Sequence, residues 1–267
     1  MPATYAHFRL GREIRPGLTG PFRAAVEAYP ALYSWGLHGP DVLFYHKPFQ
    51  KTPLNAMASP LHDRSGKWFF TRAAGVIPQS RKPQAALAYT VGCLCHFALD
   101  ALCHGFVEDM ARRGTASHGA IESDLDRALL EADGIRPFRF SLTAHLQPTP
   151  LCAGIMAPFY PDAYPRQMLD ALRGMKRYGG LLHPRLKAQR MLTRKVLTAA
   201  APAFCDLMLP ESPDPRCAET TRQLLSLFPT VYPVCMEILD NYACFLETRR
   251  PLAPLFSTTF NGAKEHI

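Results

Sequence analysis

The clearest potential for chemistry in this 267-residue sequence lies in two series of histidines and carboxylates spaced four positions apart. The first series is His96, Asp100 and His104, and the second is His118 and Glu122. Because an α-helix completes a turn in about 3.6 residues, side chains four apart lie on one face. Imidazole and carboxylate groups on an apolar face are costly unless they are paired or bind a metal. Together they form a ligand set that zinc accepts, so the spacing predicts a metal site between two facing helices.

Each part of this pattern also has a simpler interpretation. A single histidine on an apolar helix face is usually a core histidine with a satisfied hydrogen bond, and a single His-x-x-x-Asp pair is usually a local contact. Five such residues in two helical registers favour metal binding over that interpretation. Cys93 and Cys95 come shortly before His96 and could add a soft ligand. Packing of small apolar side chains within the helix is the better interpretation of these cysteines.

Local signals in the sequence would position both series on helices. Pro83 is suited to the first turn of a long central helix that ends at about Gly114. Ser117 is a good cap for the next helix. His118 and Glu122 would then lie in the first turns of that helix.

The rest of the chain predicts further helices, with no convincing β pattern and no internal repeat. Thr4 opens a first helix that carries His7, and the Gly39-Pro40 turn would fix the direction of Asp41. The predicted helices cover 3–14, 21–29, 30–36, 62–74, 84–113, 118–132, 150–158, 165–182 and 215–249, the last bent near Pro229 and Pro233. We expect a loop over 45–60, an extended connection over 136–150, helical turns broken at Pro184, Pro202 and Pro210, and a loosely ordered tail after residue 251.

The composition indicates a folded chain. Hydrophobic residues make up 48% of the sequence, enough for a substantial core. We predict an all-α, multi-helix bundle in which 1–267 is a single domain, 1–145 is the metal-site core and 146–267 adds helices packed on it. No apolar run has the length of a transmembrane helix, and the N-terminus lacks the pattern of a secretory signal. We therefore expect a cytoplasmic protein whose eight cysteines are reduced thiols.

Positive charge is concentrated in one part of the sequence. The formal net charge is +8, and the block 166–195 contains nine lysines and arginines against Asp170 alone. Such a basic block could contact the phosphate groups of an anionic membrane or of a nucleic acid. A solvated outer face is the slightly favoured interpretation.

The order of these histidines and carboxylates along the chain resembles that of the zinc-dependent phospholipase C family. The family includes the phospholipase C/D domain of glycosylphosphatidylinositol-specific phospholipase D. The resemblance covers roughly residues 1–145 and rests on the sequence His, Asp, His, His-x-x-x-Asp, His, His-x-x-x-Glu. It implies the helical bundle shared by zinc-dependent phospholipases C and related single-strand nucleases, and two or three zinc ions as cofactors.

Carried over residue by residue, the resemblance implies a ligand set for each ion. One zinc would be held by Asp41, His62, His96 and Asp100, a second by His104, His118 and Glu122, and a third by His7 and Asp100. Zinc lowers the pKa of a bound water toward about 7 and binds phosphate oxygens. The resemblance implies that Asp41 is the general base that orients the attacking water. The substrate it implies is a phospholipid or a small phosphodiester.

Two features depart from the family pattern. Secreted members complete the third site with an N-terminal tryptophan, whereas this chain begins Met1-Pro2. The spacing from Asp100 to His104 is also shorter than in the secreted enzymes. His38 could replace a neighbouring ligand or cap the Gly39-Pro40 turn, and His145 could line the pocket or lie on the surface.

Two other functions stay open at the level of sequence. A single-strand nuclease would need aromatic platforms beside a basic groove, for which the candidates are Tyr33, Trp35, Phe44, Tyr45 and Trp68. These aromatics are better explained as core residues, so we rank a nucleic acid below a lipid. The second alternative is a non-catalytic, metal-stabilised helical module that binds a partner through the basic block.

Overall fold

The computed structural model describes residues 4–265, and these fold into α-helices joined by short connections. The helices are α1 (Thr4–Ile14), α2 (Gly20–Ala28), α3 (Pro30–Gly36), α4 (Pro53–Ala56), α5 (Ala58–His62), α6 (Gly66–Gln79), α7 (Pro83–Arg112), α8 (His118–Ala132), α9 (Pro150–Met156), α10 (Pro165–Leu182), α11 (Lys187–Ala200) and α12 (Ala218–Thr248). A 3₁₀ segment, Gly39–Tyr45, follows α3. Between residues 4 and 265 there are isolated β-bridges but no β-strand. The predicted all-α class is confirmed.

Helix α7 is the central element of the fold. Helices α1, α2, α3, α6, α8 and α12 all pack against it, and its predicted length is confirmed. By length and apolar composition α7 could also cross a membrane, but most of its apolar stretch is buried inside the fold. It carries His96, Asp100 and His104 at positions four apart, so these side chains are brought into the interior by the core helix itself.

The crossing of α3 and α7 requires glycine on both helices. A Cβ on Gly36 would lie 2.2 Å from the carbonyl oxygen of Tyr89, and a Cβ on Gly92 would lie 2.3 Å from that of Tyr33. Only glycine permits this approach of two backbones. The close crossing brings the chain that follows α3, including Asp41, next to α7.

The predicted loop over 45–60 is wrong in its second half, where α4 and α5 form. Thr52 and Asn55 make a capping box, in which Thr52 Oγ1 accepts from Asn55 N at 3.2 Å and Asn55 Oδ1 accepts from Thr52 N at 2.9 Å. As a result, His62 ends α5 and does not open the following helix. Helix α6 instead begins with its own cap, Ser65.

The second half of the chain packs around this core. Helix α12 contains Pro229 and Pro233 within its length, as predicted, and packs along α7. The Tyr242 hydroxyl of α12 donates to the Phe70 carbonyl oxygen at 3.0 Å. Helix α10 packs against the 3₁₀ segment. Helix α11 lies on the outside, and none of its residues is buried.

The prediction of a loosely ordered tail after residue 251 is wrong for the described residues up to 265, and residues 266–267 lie outside them. Phe256 and Phe260 are buried, and their rings lie 5.7 and 5.0 Å from the ring of Phe97 on α7. The proline and polar residues of this segment give it no helical or β pattern in the sequence. The tail is ordered by the packing of two phenylalanines on α7, which is a tertiary interaction that local sequence does not indicate.

Candidate metal centre

Four of the predicted ligands converge in the interior and form what we call the inner cluster. Asp41 comes from the 3₁₀ segment, His62 from the end of α5, and His96 and Asp100 from α7. His62 Nε2 lies 2.9 Å from Asp41 Oδ1, and His96 Nε2 lies 3.0 Å from Asp100 Oδ2. One possible ligand atom from each residue lies within 4.8 Å of the others. All four residues are buried.

Three further predicted ligands form the outer cluster. His104 of α7 and Glu122 of α8 are buried, whereas His118 at the start of α8 is partly exposed. Glu122 Oε1 lies 3.1 Å from His104 Nε2 and 3.2 Å from His118 Nε2. The contact between α7 and α8 therefore brings both helical series together, as the spacing in the sequence predicts.

Asp100 joins the two clusters to the first helix. Its Oδ1 lies 3.3 Å from His7 Nε2 and 3.9 Å from His104 Nε2. The His7 ring also stacks on His96, with ring centroids 4.3 Å apart. His7 is thus beside Asp100, as predicted for a third ion. The other part of that predicted site, at Met1 and Pro2, lies outside the described residues.

The inner histidines are oriented by backbone carbonyl groups. His62 Nδ1 donates to the Ala58 carbonyl oxygen at 2.8 Å, and His96 Nδ1 donates to the Leu37 carbonyl oxygen at 3.3 Å. Since a carbonyl oxygen only accepts, each Nδ1 carries the proton and each Nε2 presents its lone pair to the cluster. Metal-binding histidines are usually held in this way.

The outer histidines are oriented by side chains. His104 Nδ1 lies 3.1 Å from Asn261 Oδ1, and His118 Nδ1 lies 2.7 Å from Glu108 Oε1. Because these acceptors engage Nδ1, the Nε2 atom of each histidine is the one that faces the cluster. Asn261 belongs to the tail, so the C-terminal segment positions a predicted ligand of the outer cluster.

Charges within the centre stabilise Asp100 and Glu122 in the ionised form. Burial opposes ionisation of Asp100, but the imidazoles of His96 and His104 hold its pKa well below its usual range. Burial alone would lower the pKa of His104, whereas the charges of Asp100 and Glu122 raise it to about 10. The centre therefore attracts positive charge, which a metal ion also supplies.

The unpaired atoms of the centre fit a metal better than they fit a hydrogen-bond network. His96 Nε2, Asp100 Oδ2 and His118 Nε2 are buried and have no hydrogen-bond partner among the described residues. His96 Nε2 and Asp100 Oδ2 are nevertheless 3.0 Å apart. A metal ion bound by both atoms would satisfy them together. Neutral imidazole and carboxylate are suitable ligands for zinc, and the binding of ions there stays a prediction.

Two histidines that the sequence left open form a buried pair beside the centre. His38 Nε2 and His145 Nε2 are 2.7 Å apart, and the His38 ring centroid is 6.4 Å from that of His7. Burial, together with the neighbouring imidazoles, keeps the pKa of His38 well below its usual value. Cys93 and Cys95 are buried outside both clusters, which agrees with a packing role.

Residues that sequence reasoning missed hold the ligands in place. The Asp126 carboxylate accepts from the backbone N–H groups of Tyr5 and Ala6 at 2.9 Å each, and so fixes the start of the helix that carries His7. Gly39 has φ +40°, and a Cβ there would lie 2.6 Å from His96 Cδ2. The Gly-Pro turn was a visible signal for Gly39, whereas nothing local indicated Asp126.

Comparison with known proteins agrees with this geometry. A family model described as zinc dependent phospholipase C matches residues 6–178, which include every predicted ligand and most of α10. The match extends beyond the 1–145 segment on which the sequence resemblance rested. Neither the comparison with curated proteins nor that with solved structures gives a match.

Proposed function

The chain belongs to the zinc-dependent phospholipase C family, and on that premise we propose that it hydrolyses a phosphoric ester bond of a phospholipid. The observation that carries the proposal is the arrangement of the inner and outer clusters around one shared carboxylate, Asp100. Zinc ions held by these residues would supply Lewis acidity and lower the pKa of a bound water. The clusters would hold two ions, and His7 with Asp100 would contribute to a third.

Asp41 is the proposed general base. Its Oδ1 lies 2.9 Å from His62 Nε2 and 3.9 Å from His96 Nε2, so its position is limited from two sides. The preceding turn, in which Gly39 touches His96, further limits its movement. A buried carboxylate held in this way can orient an attacking water and accept its proton.

A lipid fits the surroundings of the centre better than a nucleic acid does. Of the aromatic residues that could stack bases, Tyr33 and Trp35 are buried in the core and cannot act as platforms. Phe44 and Tyr45 line a cavity of about 590 Å³ whose walls are largely apolar, with Thr4 and Thr143 among the few polar side chains. A single-strand nuclease needs a cationic groove for the backbone of its substrate, and no lysine or arginine of the described residues lines this cavity.

Part of the basic block is available for a membrane surface, and we propose that it contacts an anionic cytoplasmic leaflet. The block is divided between α10 and α11. Lys176 Nζ donates to the Leu146 carbonyl oxygen at 2.6 Å, and Arg190 is paired with Glu211, so these cations are engaged within the protein. Arg173 is exposed on α10. Exposed cations of this kind are attracted to anionic lipids within a Debye length.

The test is Asp100→Asn, compared with Asp109→Asn on the same helix. Asp100 contacts ligands of both clusters, so we expect the first variant to lose metal and to lose hydrolysis of a generic phosphodiester by at least about a hundredfold. Asp109 pairs with Arg113 outside the clusters, so its variant should keep both properties. Elemental analysis, a phosphodiesterase assay and a circular-dichroism melt would be run on each.

The outcomes separate the three functions. Full metal content and unchanged activity in Asp100→Asn would show that the proposed site is wrong. Stoichiometric metal in the unaltered protein without hydrolysis of any phosphodiester would favour the interaction module. Hydrolysis of single-stranded DNA in preference to phospholipid would favour the nuclease.

A further inference from the structure

The cavity of about 590 Å³ forms an apolar groove on one side of the metal centre. Its walls come from the 3₁₀ segment, α10, α11 and the turn at 202–207, with Phe44, Met175, Leu192 and Val196 among the side chains that line it. Its volume lies within the range of about 300–1,000 Å³ that is usual for small-molecule sites. We refer to it as the α11 groove.

The α11 groove borders the metal centre. The Phe44 ring lines the groove and lies 5.8 Å from the ring of His62, a predicted ligand. Thr4, at the start of the helix that carries His7, lines it as well. Burial and the charges of Asp41 and Glu122 together raise the pKa of Tyr45, so this groove residue is within electrostatic reach of both clusters. A molecule in the groove would have one end beside the centre.

The groove leaves large apolar side chains uncovered. On α11, Leu192 is 64% exposed and Val196 is 55% exposed, although both line the groove. Phe49 is 68% exposed and Leu181 is 52% exposed on the other walls. Neighbouring apolar side chains that are exposed together usually mark a surface that another apolar molecule covers.

The side chains that line the groove favour an uncharged, apolar ligand. No Asp, Glu, Lys or Arg among residues 4–265 lines the groove, and the titratable side chains that do are Tyr45, Tyr178 and His183. Burial lowers the pKa of His183 to about 4, so this imidazole is neutral near pH 7. A charged ligand or a nucleobase would find few partners here, whereas an aliphatic chain needs none.

We propose that the α11 groove binds an acyl chain of the lipid whose phosphate is hydrolysed at the metal centre, an inference that rests on the proposed function. The head group and phosphate lie at the centre, and the chain extends along α11. Helix α11 follows the region that matches the family, which ends at residue 178. One wall of the proposed chain site therefore lies outside the region that matches the family.

The test compares two variants of adjacent residues. Leu192 and Met191 are both 64% exposed on α11, but Leu192 lines the groove and Met191 lines a separate cavity beside Arg190. Leu192→Asp and Met191→Asp make the same kind of change on an exposed helix. The substrates are a series of short-chain phosphatidylcholines kept below their critical micelle concentrations, with p-nitrophenyl phosphorylcholine as a reference without acyl chains.

We expect kcat/KM of the unaltered enzyme to rise about fourfold per methylene until the groove is full, the equivalent of about 0.8 kcal/mol. In Leu192→Asp, the ratio of kcat/KM for the longest chain to that for the reference should fall roughly tenfold. In Met191→Asp it should stay at the unaltered value. An equal fall in both variants would indicate insertion into a lipid surface and would overturn the groove proposal. Activity that does not depend on chain length would also overturn it.

A binding measurement separates this proposal from the proposed function. The fluorescent fatty acid cis-parinaric acid carries an aliphatic chain without phosphate, so its binding does not depend on hydrolysis. Binding by the unaltered protein and by Met191→Asp, but not by Leu192→Asp, would support the groove even if no phospholipid were hydrolysed. Absence of binding by the unaltered protein would overturn it. Dissociation of a dimer in Leu192→Asp would identify the groove as an interface between two copies and would also overturn it.

Discussion

The part of the chain that matches the family and the part that follows it contribute to the metal centre in different ways. Residues 6–178 contain all the predicted ligands, and no described residue after 178 belongs to either cluster. The later part instead places Phe260 against the inner cluster and Asn261 beneath the outer cluster, and it forms the α11 wall of the groove. All the predicted ligands thus come from the matching region, which also orients His62, His96 and His118 through Nδ1. The later part adds the partner of His104 Nδ1 and a ring contact at the inner cluster.

This division has a physical reason. Ligands spaced four apart on a core helix are fixed relative to one another, but each imidazole can still rotate about its side-chain bonds. Rotation is limited by contacts with the ring and by the partner of Nδ1. The tail supplies both kinds of contact, so changes in the tail should alter metal affinity without removing any ligand.

The largest effect expected from the tail is that of Phe260→Ala. Phe260 is 1% exposed, and its ring lies 5.8 Å from His62 and 5.9 Å from His96. Loss of this side chain should lower the free energy of unfolding by about 3–5 kcal/mol and should weaken metal binding, because both imidazoles lose a packing contact. Thermal melts with and without metal, and calorimetric titration with zinc, would measure the two effects.

Phe256→Ala is the matched control for that experiment. Phe256 is fully buried in the same tail and stacks on Phe97, but it makes no ring contact with a predicted ligand. It should destabilise the fold to a similar extent and leave the zinc affinity of the folded protein near the unaltered value. Equal metal affinities in the two variants would show that the tail acts on stability alone and would remove its role at the inner cluster.

A smaller and more local effect is expected for Asn261→Ala. Asn261 Oδ1 fixes His104 Nδ1 at 3.1 Å, while its Nδ2 donates to Asp63 Oδ1 at 2.9 Å. Partners of this kind typically change metal affinity by about 10- to 100-fold when removed, so one zinc equivalent should bind more weakly by that factor. Asn241→Ala is the control, since the side chain of Asn241 bonds backbone groups of 251 and 253, away from both clusters. A uniform weakening of all zinc equivalents would contradict a local role at His104.

The two parts of the chain also differ in how much the sequence alone predicts. Periodicity and caps predicted α7 and α8, and with them His96, Asp100, His104, His118 and Glu122 on facing helices. These features depend on neighbours within a few residues, which single-sequence reasoning can assess. The placement of Asp41, His62 and His7 beside them was implied by the family resemblance, and no periodicity within the sequence could have supplied it.

What the sequence did not predict depends on contacts between distant segments. Phe260 packs on α7 from far along the chain, and Asp126 caps α1 across more than a hundred positions. The α11 groove is likewise formed by several segments that are separate in sequence. Neither a hydrophobic pattern nor a turn signal contains such information, because the partner of each residue is determined only when the chain has folded.

The smallest expected effect concerns the loss of stability in acid, to which His183 in the later part of the chain contributes. Burial lowers the pKa of His183 to about 4 in the folded protein, whereas an unfolded histidine titrates near about 6.5. Between these pH values the unfolded chain binds a proton that the folded chain does not, so the contribution is complete above about pH 6.5 and is lost as the pH falls toward about 4. Since the imidazole is partly accessible, we expect it to account for about 1–3 kcal/mol of the acid-induced loss.

His183→Gln, in which Nδ1 no longer accepts from Leu209 N, should be less stable at neutral pH but should lose less stability between the two pH values. Urea titrations with a chelator present at each pH would measure this slope free of metal loss, and an unchanged slope would show that the acid-induced loss arises from other groups, such as His145, whose pKa burial also lowers to about 4.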